Sequence, residues 1–338
     1  MQKVLYGSAA AIAALILVGF LLPSEHRVQV SVEIDAHPVT VFAQINDFRR
    51  QALWSPLAES DPNARFIYSG NSRGVGAVMT WDGTVIGSGT QTIVESRAPE
   101  HVGIAVNPGE TGAARSWFDL APGSGTTVVT WGFESDYGFN IIGRYFASLL
   151  GSVIARDHER GLENLKSLAE SLPRVDFSDL EVEHLVVEAA DIAYLETTAQ
   201  PEPGAISEAM GRAYFDILNF IDRHDLQEAG APLSITRSWS GAALLFDAAI
   251  PVRGVGEGTP RNATGVRLGQ TYGGPAIRVK HTGSYRDLAT THRKISAYLA
   301  ALGIERNGPA WESYVSDPGK VPEAELITYV YYPVRPAL

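Results

Sequence analysis

Two segments of this chain are written to one plan, and that repetition restricts its fold more than any other feature. The first runs as a strand from Leu185 to Thr197, a loop with Pro201 and Pro203, a helix from Ala205 to His224, the turn Gly230-Ala231-Pro232, further strands and then Ile250-Pro251-Val252. The second runs as a strand from Ala276 to His281, Gly283, a helix, Gly308-Pro309, further strands and then Tyr332-Pro333-Val334. Each is strand, helix, strand, strand. A chain that repeats such a unit folds as a pair of halves about a pseudo-two-fold axis, with a pocket expected between them. Arg253 to Gly265, rich in glycine, reads as the connector.

The second half carries the sharper signals. Ser284 is placed to cap a helix. After it Tyr285, Leu288, His292, Ile295, Leu299 and Leu302 recur at spacings of three and four, which puts them on one face. Gly303 and Gly308-Pro309 end that helix, Asp317-Pro318-Gly319 is a turn, and Glu325 to Pro333 is a last strand. His281-x-Gly283-x-Tyr285, Trp311-Glu312-x-Tyr314, Asp317-Pro318 and Tyr332-Pro333-Val334 together resemble the GyrI-like domain. That domain is the effector-binding module of AraC-type and MerR-type regulators and also occurs free-standing. Gly283-Ser284-Tyr285 stands where the family has Gly-Pro-Tyr, a mild departure because Ser caps a helix as Pro starts one.

The resemblance implies that Glu312 lies at the floor of an aromatic pocket and faces cationic ligands, with Tyr285, Tyr314, Trp311, Tyr272 and Tyr194 as candidate walls. The chemistry is coherent, because a poorly solvated carboxylate gains from a counter-charge and a lipophilic cation stacks on rings. Strand alternation also permits Trp311 inward and Glu312 toward solvent, and plain core packing explains each aromatic equally well.

Upstream, Val28, Val30, Val32 and Ile34 alternate as a strand, and a helix runs from Val39 to Phe48. Short strands follow at Phe66 to Tyr68, Val78 to Trp81, Thr84 to Gly87, Gln91 to Ser96, His101 to Val106, Ser116 to Ala121 and Thr126 to Phe133. A long helix closes the region on a stripe of Ile154, Leu162, Leu165, Leu168 and Leu172, with His158 at the same spacing. Ile34-x-Ala36-x-Pro38, Val41-Phe42, Asn46-Asp47-Phe48, Trp54-Ser55-Pro56, Gly74-Val75-Gly76 and Trp81 resemble the START-like superfamily that includes polyketide cyclases. That resemblance implies a curved sheet wrapped on the long helix around an apolar cavity. Trp54 and Trp81, with Trp117 and Trp131, are candidates to line it, as they are for the core. Glu134 and Asp136, on one strand end, read as a solvated edge sooner than as an acid/base pair.

Val4 to Leu22 holds no charged residue, and nineteen helical residues reach ~28 Å, about one bilayer core. Leu22-Pro23-Ser24 makes a poor cleavage site. The expectation is an uncleaved single-pass transmembrane anchor, the short N-terminus in the cytoplasm and the remainder periplasmic.

Composition excludes several functions. Among 338 residues there is no cysteine, so disulfides, thiolate metal sites and a cysteine nucleophile are out. With 27 Lys and Arg against 38 Asp and Glu the net charge is −11, and no basic run marks a nucleic-acid surface. His281 and His292 have no third ligand at recognisable spacing, and no metal or cofactor is expected.

The expected architecture is α+β: a transmembrane helix over residues 1–25, a START-like domain over 26–173, a linker over 174–181 and a duplicated βαββ GyrI-like domain over 182–338. The expected function is a bacterial, membrane-anchored binder or sensor of a hydrophobic or cationic small molecule. The alternative is a hydrolase of reactive electrophiles in which Glu312 activates water.

Overall fold

The computed structural model describes residues 14–108, 114–240 and 242–335. The chain divides into two compact units, one running up to Asp176 and the other from Phe177. Each is built on an antiparallel sheet.

Among the described residues, 14–21 are helical and are labelled α1. The expected span Val4 to Leu22 is corrected here. Residues 4–13 lie outside the described residues, and no helix among the described residues is long and apolar enough to cross a membrane. The chain then turns at Pro23 into a strand. With the span goes the expected single-pass, periplasmic placement.

In the first unit β1 (Glu25–Ile34) is followed by α2 (Pro38–Ile45), α3 (Phe48–Gln51) and α4 (Pro56–Ser60). Pro38 opens α2 at its first turn, where no N–H is needed, and Asp47 and Ser55 cap α3 and α4 with their side chains. Six strands then run in sequence order: β2 (Arg65–Gly70), β3 (Ala77–Gly83), β4 (Gly87–Arg97), β5 (His101–Asn107), β6 (Ala114–Pro122) and β7 (Thr127–Asp136). They form a meander that β1 closes by pairing with β7, in the order β1-β7-β6-β5-β4-β3-β2. Of Thr84 to Gly87, expected as a strand, residues 84–86 are the turn between β3 and β4 and Gly87 opens β4. The long helix α5 (Ile141–Glu170) packs on β1 and β7 and meets α2 and α4. Its Leu162, Leu165 and Ala169 are buried with Ile34, Ile93, Ile104, Phe118 and Val129 from the sheet. Alternation along each strand puts these side chains on one face, and their burial stabilises the unit by roughly 1.5–3 kcal/mol per large side chain.

Helix α1 docks on α5. The Arg144 guanidinium donates to the carbonyls of Phe20 and Leu22, each at 3.0 Å, and the Tyr145 hydroxyl to that of Leu15 at 2.8 Å. Arg144 thereby supplies donors to carbonyls that the end of a helix leaves unmet.

The second unit opens with β8 (Val182–Val187) and β9 (Asp191–Ala199), α6 (Pro203–Arg223), the two-residue β10 (Gln227–Glu228), β11 (Leu233–Trp239) and β12 (Leu244–Arg253). It continues with β13 (Asn262–Ala263), β14 (Val266–Gln270), β15 (Gly274–Thr282), α7 (Leu288–Leu302), β16 (Trp311–Tyr314) and β17 (Ile327–Pro333). The sheet order β14-β9-β12-β11-β16-β17-β15-β8 is symmetrical about the β11–β16 pair. The two βαββ halves, β9-α6-β11-β12 and β15-α7-β16-β17, meet there, with Ser234 opposite Glu312. The outer strands are exchanged. β8 precedes the first half yet pairs with β15 of the second, and β14 precedes the second half yet pairs with β9 of the first.

One sheet face carries the helices. There Ala193, Phe246 and Ile250 are buried with Ile217 and Phe220 of α6. Ile277, Val279 and Val330 are buried with Leu288, Ile295 and Leu299 of α7. On the other face Ile192, Leu233, Ile235, Ala249, Ala276 and Trp311 form a separate cluster.

Candidate ligand sites

Strand parity decides what β16 presents to each side. Glu312 and Tyr314 are two apart, so they share a face, and their ladder partners Val330 and Thr328 put that face toward α7. Trp311 is one residue away and faces the opposite side. There it is 8% exposed and stacked on Tyr331, with centroids 4.7 Å apart and planes 5° from parallel.

Both oxygens of Glu312 are engaged. Nε2 of His292, one turn along the apolar stripe of α7, lies 2.7 Å from Oε1. The Tyr314 hydroxyl donates to Oε2. Nδ1 of His292 lies 2.8 Å from the Tyr332 hydroxyl. An ionised carboxylate accepts only, so Nε2 carries the proton that it shares with Glu312. Every member of this chain of four thus has a partner. Tyr285 closes over it, edge-on to Tyr314 at 5.4 Å. The Glu312 side chain keeps 15% of its surface exposed.

The phenols here hold their protons tightly. Burial, then the charge of Glu312, pushes Tyr314 well above the usual tyrosine range, and the same two causes raise Tyr214 of α6. Burial raises Tyr332 also. A Ser296 hydrogen bond and Arg306 oppose that rise, and Glu312 adds to it. Burial and then Asp317 raise Tyr285. The surroundings of Glu312 therefore donate hydrogen bonds and repel further negative charge.

The first unit holds a cavity of about 490 Å³ between sheet and helix. Met79 of β3, Ile104 of β5, Phe118 of β6 and Trp131 and Phe133 of β7 face it from the sheet, Leu57 from α4, and Ile154 and His158 from α5. Its size suits a small molecule.

The chain matches two family models in this order: "Polyketide cyclase / dehydrase and lipid transport" over residues 25–170, and "GyrI-like small molecule binding domain" over residues 241–335. It joins a polyketide cyclase-type domain to a GyrI-like domain. No curated protein sequence matches it. Among solved structures it is similar to the EcmrR C-terminal domain, with 13% identity, 47% of this chain and 99% of that one covered, and a TM-score of 0.39. It is also similar to a hydrolase encoded by lin2189 from Listeria innocua, at 14% identity, 46% and 91% coverage and a TM-score of 0.35. A norcoclaurine synthase point mutant from Thalictrum matches at 12% identity, 44% and 95% coverage and a TM-score of 0.34.

In the GyrI-like domain the structure brings Glu312, Tyr285 and Tyr314 together. Trp311 and Tyr272, with centroids 6.1 Å apart, pack on the opposite sheet face with Tyr194. His292, placed from sequence on the apolar face of its helix, is the direct partner of Glu312. Tyr214 carried no motif and was not singled out. His281 is tied to Thr291 at 2.9 Å and to the Ser284 carbonyl at 3.0 Å. No cluster among the described residues could hold a metal ion.

In the polyketide cyclase-type domain Trp54 is 1% exposed, donates to the Gln44 carbonyl at 3.1 Å and stands edge-on to Phe118 and Trp131. It supports two lining residues from behind. Trp81 is buried in the same core and does not line the cavity. Trp117 faces the other way, its ring lying over Gly132, where a Cβ would come within 2.2 Å of it. Glu134 is paired with Arg27 at 3.8 Å on the surface.

Proposed function

We propose that this protein binds hydrophobic small molecules, and that its GyrI-like domain receives the cationic group of a ligand at Glu312. The observation that carries this reading is that one carboxylate charge, on Glu312, is held only 15% exposed between His292 and Tyr314, with the Tyr285 ring edge-on to Tyr314. That charge is met by an imidazole and a hydroxyl. Among the described residues His292 is its only ion-pair partner, and it is charged only when protonated. A flat organic cation supplies the missing positive charge and stacks on Tyr285 and Tyr314, each such contact contributing about 0.5–2 kcal/mol. Each carboxylate oxygen has one donor and so retains acceptor capacity.

A second reading is favoured by the contact of Glu312 with His292. A carboxylate oriented by an imidazole, itself oriented by Tyr332, is suited to activate water against an electrophile.

One variant separates the two. Glu312→Gln keeps the shape and removes the charge. Calorimetric titration with 1-methyl-4-phenylpyridinium and its uncharged isostere 4-methylbiphenyl is the test. Binding predicts that the cation weakens by about 1–3 kcal/mol, roughly 5- to 150-fold, while the isostere is unaffected. Catalysis predicts unchanged affinities and loss of turnover of an electrophile such as styrene oxide. Equal affinities with no turnover by either protein would remove Glu312 from both roles.

A further inference from the structure

One inward position on the sheet of the first unit breaks the apolar pattern. Gln91 and Ile93 are two apart on β4 and share a face, and Ile93 is buried in the core. Gln91 lies opposite Met79 of β3 and Val106 of β5, and Met79 lies opposite Tyr68 of β2. All four line the cavity, so the row that they form across the strands is part of its wall. The amide of Gln91 has no hydrogen-bond partner among the described residues, yet Gln91 is only half-buried and neither amide atom is among the fully buried orphans. The space on its side of the sheet is the cavity, and the amide is accessible from there.

Most other polar side chains of the lining are already engaged. The Gln51 amide nitrogen donates to the Ile45 carbonyl at 2.6 Å. Ser116 Oγ accepts from the Trp131 indole at 2.9 Å and donates to the Gly132 carbonyl at 3.1 Å. Ser55 and Ser60 are turned to the backbone of α4. Nδ1 of His158 lacks a partner but is fully buried, the ring lying flat on Trp131 with centroids 4.0 Å apart. Tyr68 stands at the end of the row, with the Arg49 guanidinium 5.2 Å over its ring. Gln91 is thus the wall residue with both a donor and an acceptor to offer.

We infer that the cavity takes an uncharged molecule with an apolar body and a secondary amide of the lactam type, and that this amide pairs with the side-chain amide of Gln91. A lactam presents N–H and C=O side by side on one edge. It meets the oxygen and the nitrogen of Gln91 with two hydrogen bonds, whichever way the Gln91 amide is turned. The rings of Phe118, Trp131 and Phe133 receive the apolar body. The lining contains no Lys or Arg, and its one carboxylate, Asp157, is an exposed residue, so a charge on the ligand would be desolvated without compensation. Gln91 is in this sense a specificity-determining residue: apolar walls accept many molecules, and the amide chooses among them.

The inference rests on the reading that the protein binds small hydrophobic molecules, and the test separates the two. The full-length protein is titrated with 2-quinolinone, with N-methyl-2-quinolinone, which keeps the rings and the carbonyl but has no N–H, and with naphthalene. Wild type is expected to bind 2-quinolinone about tenfold more tightly than its N-methyl form, the scale of one net hydrogen bond. In Gln91→Leu the two affinities should converge, while naphthalene binds at least as well as to wild type. In Tyr68→Phe the preference should remain. The side-chain ¹⁵N–¹H signals of Gln91 in wild type give a readout that needs no variant to fold. They should shift toward the hydrogen-bonded range on adding 2-quinolinone and not on adding naphthalene.

Two outcomes overturn the inference while leaving the cavity as a binding site. One is equal affinity of wild type for the two quinolinones, in which case water meets the Gln91 amide. The other is a preference for 2-quinolinone that survives in Gln91→Leu, which would assign the lactam to another group such as the Gln51 oxygen or the Tyr68 hydroxyl. Failure of all three probes to bind overturns the inference and the small-molecule reading of this cavity together.

Discussion

Trp311 and Glu312 are adjacent in sequence and serve opposite faces of one sheet. The indole is packed among Leu233, Ile235 and Ala249, and the carboxylate is tied to His292 and Tyr314 beside α7. Their substitutions should therefore separate cleanly. Trp311→Ala is expected to destabilise the second unit by about 3–5 kcal/mol, the range for removing a buried aromatic. Glu312→Gln should leave most of that stability in place. Urea denaturation of the two variants checks this, and comparable losses would contradict the division of faces.

The pairing of His292 with Glu312 is testable by a double-mutant cycle. His292→Phe removes the donor to Oε1 and strands a largely buried carboxylate, so it should cost about 1–3 kcal/mol. In the Glu312→Gln background the same change should cost less, since no full charge is left unmet. The expected coupling is about 0.5–3 kcal/mol, measured as unfolding free energies of the four proteins. Additive effects would mean that the 2.7 Å contact contributes nothing.

The titration of His158 makes stability depend on pH with a definite sign. Its pKa falls from 6.5 to about 4 on folding, chiefly through desolvation. Above pH 6.5 the ring is neutral in both states and contributes no pH dependence. Between 6.5 and about 4 the unfolded chain takes up a proton that the folded protein refuses, so stability falls as pH falls, by about 1.4 kcal/mol per unit. Below about 4 both states are protonated and the loss levels off at roughly 3 kcal/mol. Wild type should thus lose more stability between pH 7 and pH 4.5 than His158→Gln, which does not titrate. Parallel stability curves for the two would rule out the depressed pKa.

Gly161, one turn beyond His158, lets α5 pass close over the cavity wall. A Cβ there would lie 2.6 Å from the Trp131 ring and 3.0 Å from Pro56. Ala in place of Gly favours a helix interior by about 1 kcal/mol. The indole is held between His158 and Phe118 and has little room to yield. Gly161→Ala is expected to be destabilising by about 1–3 kcal/mol despite its propensity, and to change the near-ultraviolet dichroism of the tryptophans. A more stable protein with an unchanged spectrum would count against this packing.

Local patterns were readable from sequence, and long-range pairing was not. The alternation of β1, the stripe of α5 and the Ser284 cap all follow from periods of 2 and 3.6, and the structure has them. Leu185 to Thr197 reads as one strand because the apolar pattern barely falters, yet the chain breaks at residues 188–190 and the two pieces join different halves of the sheet. Alternation states which side chains share a face and is silent about which strand lies alongside. The same limit applies at the sites. The motif found Glu312, but Tyr214 reaches it only through the packing of α6 on the sheet. Trp54 and Trp81 were legible as buried aromatics, and only the β6–β7 register shows that Phe118 and Trp131 are the pair that face the cavity.

The exchange of β8 and β14 between the two halves sets the order in which synthesis can complete the second unit. As the nascent chain leaves the ribosome, β8 emerges long before β15, the strand it pairs with, and must wait unpaired. The first half has all four of its own elements once β12 is out, yet its β9 edge stays open until β14 follows. Neither half can therefore finish alone on the way out. The outer pairings of the sheet wait for β14 and β15, and the edge strands exposed until then are what a chaperone would have most to cover.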